Sequence, residues 1–245
     1  MGNKKYAINE NVFLNEDDVS YYLLGAYMSD GCVYSMPKER VIEIASTDID
    51  WLIKIRNIIS PTRPLMKTSR DNLKKMRFAS DNVFNWLNKN ECVPKKSRTL
   101  KMPDIPEKYL PDFVRGYFDG DGSVTITSSK AKRKNKTYIY PKLGCYICSG
   151  SKIFIESLHE ILNNIEIKSS FIEIKQKTSI IRGKKIKSNG NIYRVSFSDQ
   201  SAIKFINWTH YDGHKLSMPR KFKKIQEARK IFSKRPGLKW NYKTK

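Results

Sequence analysis

The sequence predicts an α+β fold made of two copies of one unit, each read as helix, two strands, helix, two strands, helix. Three observations carry that expectation. First, Leu23-Leu24-Gly25-Ala26-Tyr27-Met28-Ser29-Asp30-Gly31 and Val114-Arg115-Gly116-Tyr117-Phe118-Asp119-Gly120-Asp121-Gly122 are both apolar helical runs with Gly at the third position and a terminal Asp-Gly. Second, the repetition continues downstream: serine-capped amphipathic helices start at Ser46 and Ser149, and strands run into capped helices through 77–81 and 195–199. Third, the offset between copies grows from 91 at Asp30 and Asp121 to 103 at Ser46 and Ser149 and 118 at Asp81 and Asp199. A tandem duplication with insertions in a longer second copy gives that drift.

In the first copy Asn15 can cap the motif helix, ahead of Glu16, Asp17 and Asp18 in its positive first turn. Strands are expected over 32–34 and 41–45, then 65–68 and 74–79. The second copy repeats them over 123–128, 138–147, 171–181 and 191–197, with a tight hairpin turn at Asn189-Gly190. Pro103, Pro106 and Pro111 punctuate the path into the second motif helix. The boundary between copies is therefore placed within 101–107, giving halves 1–103 and 104–245 of one compact body.

Glycine inside a helix costs about 1 kcal/mol relative to alanine. Gly25 and Gly116, at the same place in both copies, therefore predict two helices whose backbones approach closely, and Asp30 and Asp121 would then emerge together at one end. Two carboxylates at one point are the outline of a metal site.

Charge points to the partner. Lys and Arg number 47 against 24 Asp and Glu, a net charge of +23, and the excess is spread along 245 residues, so a polyanion is expected. No apolar run approaches 18 residues and no signal-peptide core follows Met1. The expectation is a soluble intracellular protein, of cytoplasm or organelle matrix, with no membrane partner. Cys145-x-x-Cys148 and His210-x-x-x-His214 are too far apart for a zinc finger, and a strand would point the two cysteines to opposite faces. Cys32, Cys92, Cys145 and Cys148 read as reduced structural thiols.

Alternation within the strands assigns faces. Met76 and Phe78 are expected inward with Lys75 and Arg77 outward; Ile172 and Ile174 inward with Glu173, Lys175 and Lys177 outward; Tyr193, Val195 and Phe197 inward with Arg194 outward. A two-stranded ribbon fits the major groove of duplex DNA, where such outward side chains can meet base edges. Lys130, Lys132 and Arg133 in one basic loop, and Arg182 in another, suit phosphate contacts.

The two nonapeptides resemble the LAGLIDADG motif, and the chain resembles the LAGLIDADG homing endonucleases in their single-chain form with two motif copies. That resemblance implies two pseudo-symmetric αββαββα halves, the motif helices paired at their interface, and a DNA-binding saddle of two antiparallel sheets over a long duplex site. It implies a monomeric, site-specific double-strand DNA endonuclease that hydrolyses phosphodiester bonds across the minor groove. The eighth motif positions, Asp30 and Asp121, would share two or three divalent ions, normally Mg²⁺, with the DNA. Family members often add one basic residue per half, and aligning the copies pairs Lys96 with Lys215, although Lys95, Arg98, Lys101, Arg220 and Lys221 lie close by. Asp119, at the sixth position, faces Met28 in the other copy, which implies a supporting rather than a ligating role. Ser29 and Arg115 depart from the family pattern but leave the glycines and acids intact.

No protein-splicing signature accompanies Met1 or the terminal Lys243-Thr244-Lys245, so a free-standing or intron-encoded enzyme is expected. An RNA-binding maturase that meets its host intron RNA, or a non-catalytic DNA-binding protein, could use the same scaffold. Retention of both acids favours the nuclease, because binding alone does not need them.

Overall fold

A computed structural model describes residues 6–133, 136–176, 178–181, 184–187 and 190–233, with the backbone alone at 133, 136 and within 178–187. The chain divides into two compact units: one of 1–96, 103–121 and 209–223, the other of 97–102, 122–208 and 224–245.

The first unit contains α1 (Asn11–Leu14), α2 (Asp18–Ser29), β1 (Gly31–Met36), β2 (Glu39–Ser46), α3 (Ile49–Ile59), β3 (Met66–Lys67), β4 (Lys74–Ala79), α4 (Asp81–Lys89) and α5 (Leu110–Asp121). Its antiparallel sheet has the order β1-β2-β4-β3. Register places Val33 opposite Ile42 opposite Phe78, and Gly31 opposite Ile44 opposite Met76. This row is buried with Trp51, Leu52 and Ile55 of α3 and Val83 and Leu87 of α4. Each such side chain contributes about 1.5–3 kcal/mol through burial. Lys75 and Arg77 take the other face, as alternation requires.

The second unit contains β5 (Gly122–Arg133), β6 (Lys136–Ser149), α6 (Lys152–Asn164), β7 (Ser170–Ile174), β8 (Thr178–Ile181), β9 (Lys184–Lys187), β10 (Ile192–Ser198) and α7 (Asp199–Thr209). α8 (Pro219–Ser233) starts in the first unit and continues in the second. The sheet order is β5-β6-β10-β7, with β8 and β9 as a separate pair. Val124, Cys145, Ile147, Val195 and Phe197 are buried with Phe154 and Leu158 of α6 and Ile203 and Phe205 of α7. Phe197 stacks on Phe205 with ring centroids 4.5 Å apart.

Five local expectations change. α2 is capped by Asp17, not Asn15: the Asp17 carboxylate accepts from the amides of Val19 and Ser20 at 3.0 and 2.9 Å, while Asn15 closes α1. Ser46 and Ser149 do not cap helices; each hydroxyl accepts from the amide two residues on, at 3.0 and 3.1 Å, and α3 and α6 begin after Asp48 and Ser151. In β7 the faces are reversed by one residue. Register pairs Ile172 with outward Arg194 and Glu173 with Tyr193, and Phe171 packs on the rings of Tyr193 and His159. β7 is an edge strand, so isoleucines on its open face escape the penalty that would have ordered the alternation. The expected 130–136 loop is strand up to Arg133 and again from Lys136. Instead of a hairpin across Asn189-Gly190, β9 pairs with β8, and among the described residues β9 and β10 are not paired.

Candidate functional site

α2 and α5 are buried along almost their whole length, from Ser20 to Met28 and from Pro111 to Asp119. Helices without a wet face must bury themselves against one another or a core, and here the glycines set how closely. A Cβ on Gly25 would stand 2.1 Å from the Phe113 carbonyl oxygen, and one on Gly116 would stand 2.0 Å from that of Tyr22. The pair is thus in backbone contact at both positions.

The same packing brings the C-terminal ends together. Asp30 closes α2 and Asp121 is the last residue of α5. A Cβ on Gly120, the residue before Asp121, would lie 3.3 Å from the Asp30 carboxyl carbon. Burial raises the Asp30 pKa to about 6, helped by the like charge of Asp121 and opposed by Lys221 and Lys96. Asp121 keeps more accessible surface, yet the protein around its carboxyl still raises its pKa through desolvation, against Lys221, Lys96 and a hydrogen bond from Tyr117. Two carboxylates therefore share one poorly hydrated place at the negative ends of two helices.

Two buried lysines complete the cluster. Lys96, in a 3-10 turn (Lys96–Arg98), donates to the carbonyl of Gly31. Lys221, in the first turn of α8, donates to the carbonyls of Phe118, Asp119 and Gly120 at 2.7, 2.5 and 3.1 Å. Burial lowers the Lys221 pKa to about 8 despite the pull of Asp119, Asp30 and Asp121. Lys221 thus serves carbonyls in the last turn of α5 and Lys96 the carbonyl at the start of β1, and among the described residues neither forms a salt bridge with Asp30 or Asp121.

Lys215 lies elsewhere. Its side chain is 60% exposed and forms a 2.8 Å salt bridge with Asp18, in the first turn of α2 and far along that helix from Asp30. Sequence alignment reached Lys215 through the spacing of the preceding elements, but the usable signal was local. Val93-Pro94-Lys95-Lys96 and Met218-Pro219-Arg220-Lys221 share a Pro-basic-Lys triplet.

The expected DNA-contacting side chains fall on several surfaces. Lys75 and Arg77 lie on the outward face of the first sheet, paired with Glu43 at 3.0 Å and Glu39 at 3.5 Å. Arg194 lies outward on the second sheet, 5.2 Å from the Tyr146 ring centre. Lys130 and Lys132 are exposed on β5, in register with Ile139 and Thr137, a row continuous with buried Val124 and Cys145 rather than with Arg194. Lys175 is exposed just past the end of β7. Arg133 is placed by its backbone in β5, while Lys177 and Arg182 lie outside the described residues.

The carboxyls suit a hard divalent cation, which prefers oxygen donors and would relieve their mutual repulsion. Among the described residues no group of three or more His, Cys, Asp or Glu side chains is placed to hold a metal. Further ligands would have to come from outside these side chains. No described helix is long and apolar enough to cross a membrane.

Residues 109–205 match the family model of a LAGLIDADG-like domain. The chain is similar to the probable translation initiation factor IF-2 of Methanocaldococcus jannaschii, at 25% identity over 212 residues, covering 79% of this chain and 16% of that protein. It is 24% identical over 193 residues to an uncharacterized protein of the same organism, covering 75% and 62%. The chain thus spans less than two thirds of the length of either relative. Among solved structures, the meganuclease I-SmaMI bound to uncleaveable DNA matches with a TM-score of 0.57 at 12% identity, over 94% of this chain and 95% of that one. The LAGLIDADG homing endonuclease I-LtrWI bound to target DNA matches with 0.54 at 12% identity, over 94% of each. At such identity the likeness is one of fold. The chain carries a LAGLIDADG-like domain and has the fold of the single-chain LAGLIDADG homing endonucleases.

Proposed function

We propose that this protein is a site-specific double-strand DNA endonuclease whose reaction depends on divalent metal, with Mg²⁺ as the natural ion. The observation that carries the reading is the meeting of Asp30 and Asp121 at the ends of two touching helices, flanked by buried Lys96 and Lys221. A bound divalent ion supplies a water of lowered pKa and charge stabilisation for the leaving oxygen of a phosphodiester. Asp30 and Asp121 would hold it. Lys96 and Lys221 add positive charge where a phosphate would approach, and their donation to main-chain carbonyls keeps them from collapsing onto the acids. One chain supplies both acids, so the enzyme acts as a monomer, and the duplication boundary at 103/104 separates its two ancestral halves. Incubating the protein with a randomised duplex library tests the reading. Cut molecules that share one site in Mg²⁺, and none in EDTA, are the expected result; absence of a shared site would overturn it.

The outward cations, Lys75, Arg77 and Arg194, with the exposed Lys130, Lys132 and Lys175, are assigned to phosphate and base contacts, and Arg133, Lys177 and Arg182 to phosphates. Many such contacts make affinity strongly salt-dependent, with a log-log slope of magnitude at least about 5. A slope near zero, measured by titrating duplex at several salt concentrations, would remove the electrostatic interface. Tighter binding of single-stranded RNA than of duplex at matched salt would instead favour a maturase.

The lysines separate from one another in a cleavage assay. Lys96→Met and Lys221→Met should each slow cutting by about tenfold or more, since a charge near a reacting phosphate is worth more than about 1.4 kcal/mol. Lys215→Met, an exposed residue at the opposite end of α2, should cut at close to the parental rate.

A further inference from the structure

α5 carries three further buried charged residues, of which Asp119 also acts on the Lys221 ammonium through its charge. Asp112, Arg115 and Asp119 are at most 1% exposed and lie on one helical face at i, i+3 and i+7. Their counterparts in α2, at the offset of 91, are Tyr21, Leu24 and Met28. α2 therefore shows that an apolar face is enough for this kind of helix. Replacing a buried ion pair by apolar groups is often neutral or stabilising, so stability alone does not account for the charges on α5.

Their partners do. Arg115 donates to the carbonyls of Leu216 and Thr209 at 2.8 and 2.7 Å and to Asp112 at 2.6 Å, and Asp112 also accepts from the Tyr211 hydroxyl at 2.7 Å. Asp119 Oδ2 accepts from the Met218 amide at 2.8 Å and from the Tyr22 hydroxyl at 2.7 Å, which itself accepts from Trp51 Nε1 at 2.7 Å. The bonds of Arg115 to Thr209 and Leu216, of Asp112 to Tyr211 and of Asp119 to Met218 run to one stretch of chain, residues 209–218, which leads directly into Lys221. The guanidinium also lies 5.3 and 5.5 Å from the ring centres of Tyr22 and Tyr211. A long lysine side chain loses much of its rotamer freedom when fixed, so holding its ammonium at a defined point requires a fixed backbone behind it.

We propose that Arg115 and Asp119 are positioning residues that latch the 209–218 stretch onto α5 and so hold the Lys221 ammonium at the end of that helix, beside Asp121. The inference rests on the endonuclease reading and gives Arg115, a departure from the family motif, a task. The α2 counterparts Leu24 and Met28 carry no side-chain group that could tether the chain before Lys96 in the same way.

Single-turnover cleavage at saturating duplex, with affinity measured separately in Ca²⁺, tests it. Asp119→Leu, which removes the oxygen that accepts from the Met218 amide and the Tyr22 hydroxyl, should lower the cleavage rate by about tenfold while leaving affinity within about threefold, since two buried donors lose their acceptor. In a Lys221→Met background the same change should cost nothing further, because its effect passes through that lysine. An equal loss in both backgrounds, or no loss with Lys221 present, would overturn the latch while leaving the nuclease standing. If Asp119→Leu does not fold, Arg115→Lys, whose single ammonium cannot reproduce the forked donation to the Thr209 and Leu216 carbonyls, should show the same non-additivity at smaller amplitude. Should the parent cut no DNA at all, the endonuclease reading fails by itself. Hydrogen exchange at the amides of 216–221 then still decides: protection lost in Asp119→Leu supports the latch, and unchanged protection refutes it.

Discussion

Replacing Asp30 or Asp121 with Asn is expected to lower Mg²⁺-dependent cleavage by at least about a hundredfold in each single variant. A metal is worth several kcal/mol to the transition state of phosphoryl chemistry, and each tenfold in rate is about 1.4 kcal/mol. Asn preserves shape but removes one of two formal charges that a hard cation needs among its oxygen ligands. The structure adds a control against trivial loss. Burial raises the Asp30 pKa to about 6 and Asp121 repels it further, so its ionised form at neutral pH opposes the fold. Metal-free Asp30→Asn should therefore melt no lower than the parent, and duplex binding should persist because one carboxylate facing the phosphates is gone. Ca²⁺, with its larger and looser shell, should likewise support binding while slowing cleavage. If both variants, stable and DNA-bound, cut at the parental rate in a gel assay, the assignment of the acids fails.

The parts of this site that sequence revealed are those repeated at a fixed spacing. The two glycines sit inside helices of equal length and the two aspartates at the C-terminal ends of those helices, so a constant offset of 91 carries them, and helical geometry does the rest. The lysine of the second half was harder because loops of different length precede it: aligning the copies gives Lys215, whereas Lys221, six residues on, is the one that lies near the two acids. The short Pro-basic-Lys triplet was a better guide than the accumulated offset, since proline fixes the turn that aims the lysine. Arg115 and Asp119 could be seen as departures between copies, but their role could not, because their partners are main-chain groups about a hundred residues away. Backbone carbonyls leave no signature in composition. The β7 face was misread for a related reason: an edge strand with one neighbour gives alternation little to enforce.

The helix pair makes the second large prediction, and its sign is diagnostic. In an isolated helix, replacing Gly with Ala stabilises by about 1 kcal/mol. At Gly25 and Gly116 the added Cβ would stand 2.1 and 2.0 Å from carbonyl oxygens of the facing helix, and backbone cannot step aside as a side-chain tip can. Gly25→Ala and Gly116→Ala should therefore destabilise. Gly25→Leu or Gly116→Leu should cost about 3 kcal/mol or more through overpacking, a fall of about 6–12 °C in Tm for a chain of this size. Function should fail sooner than folding does. Asp30 and Asp121 meet only because the helices touch, so a separation of even about 1 Å at the glycines would carry the carboxyls apart and lower cleavage by about a hundredfold. Thermal denaturation of the alanine variants, read beside their cleavage rates at a temperature where all are folded, checks both statements. Alanine variants that melt above the parent would show that the helices do not meet at these glycines.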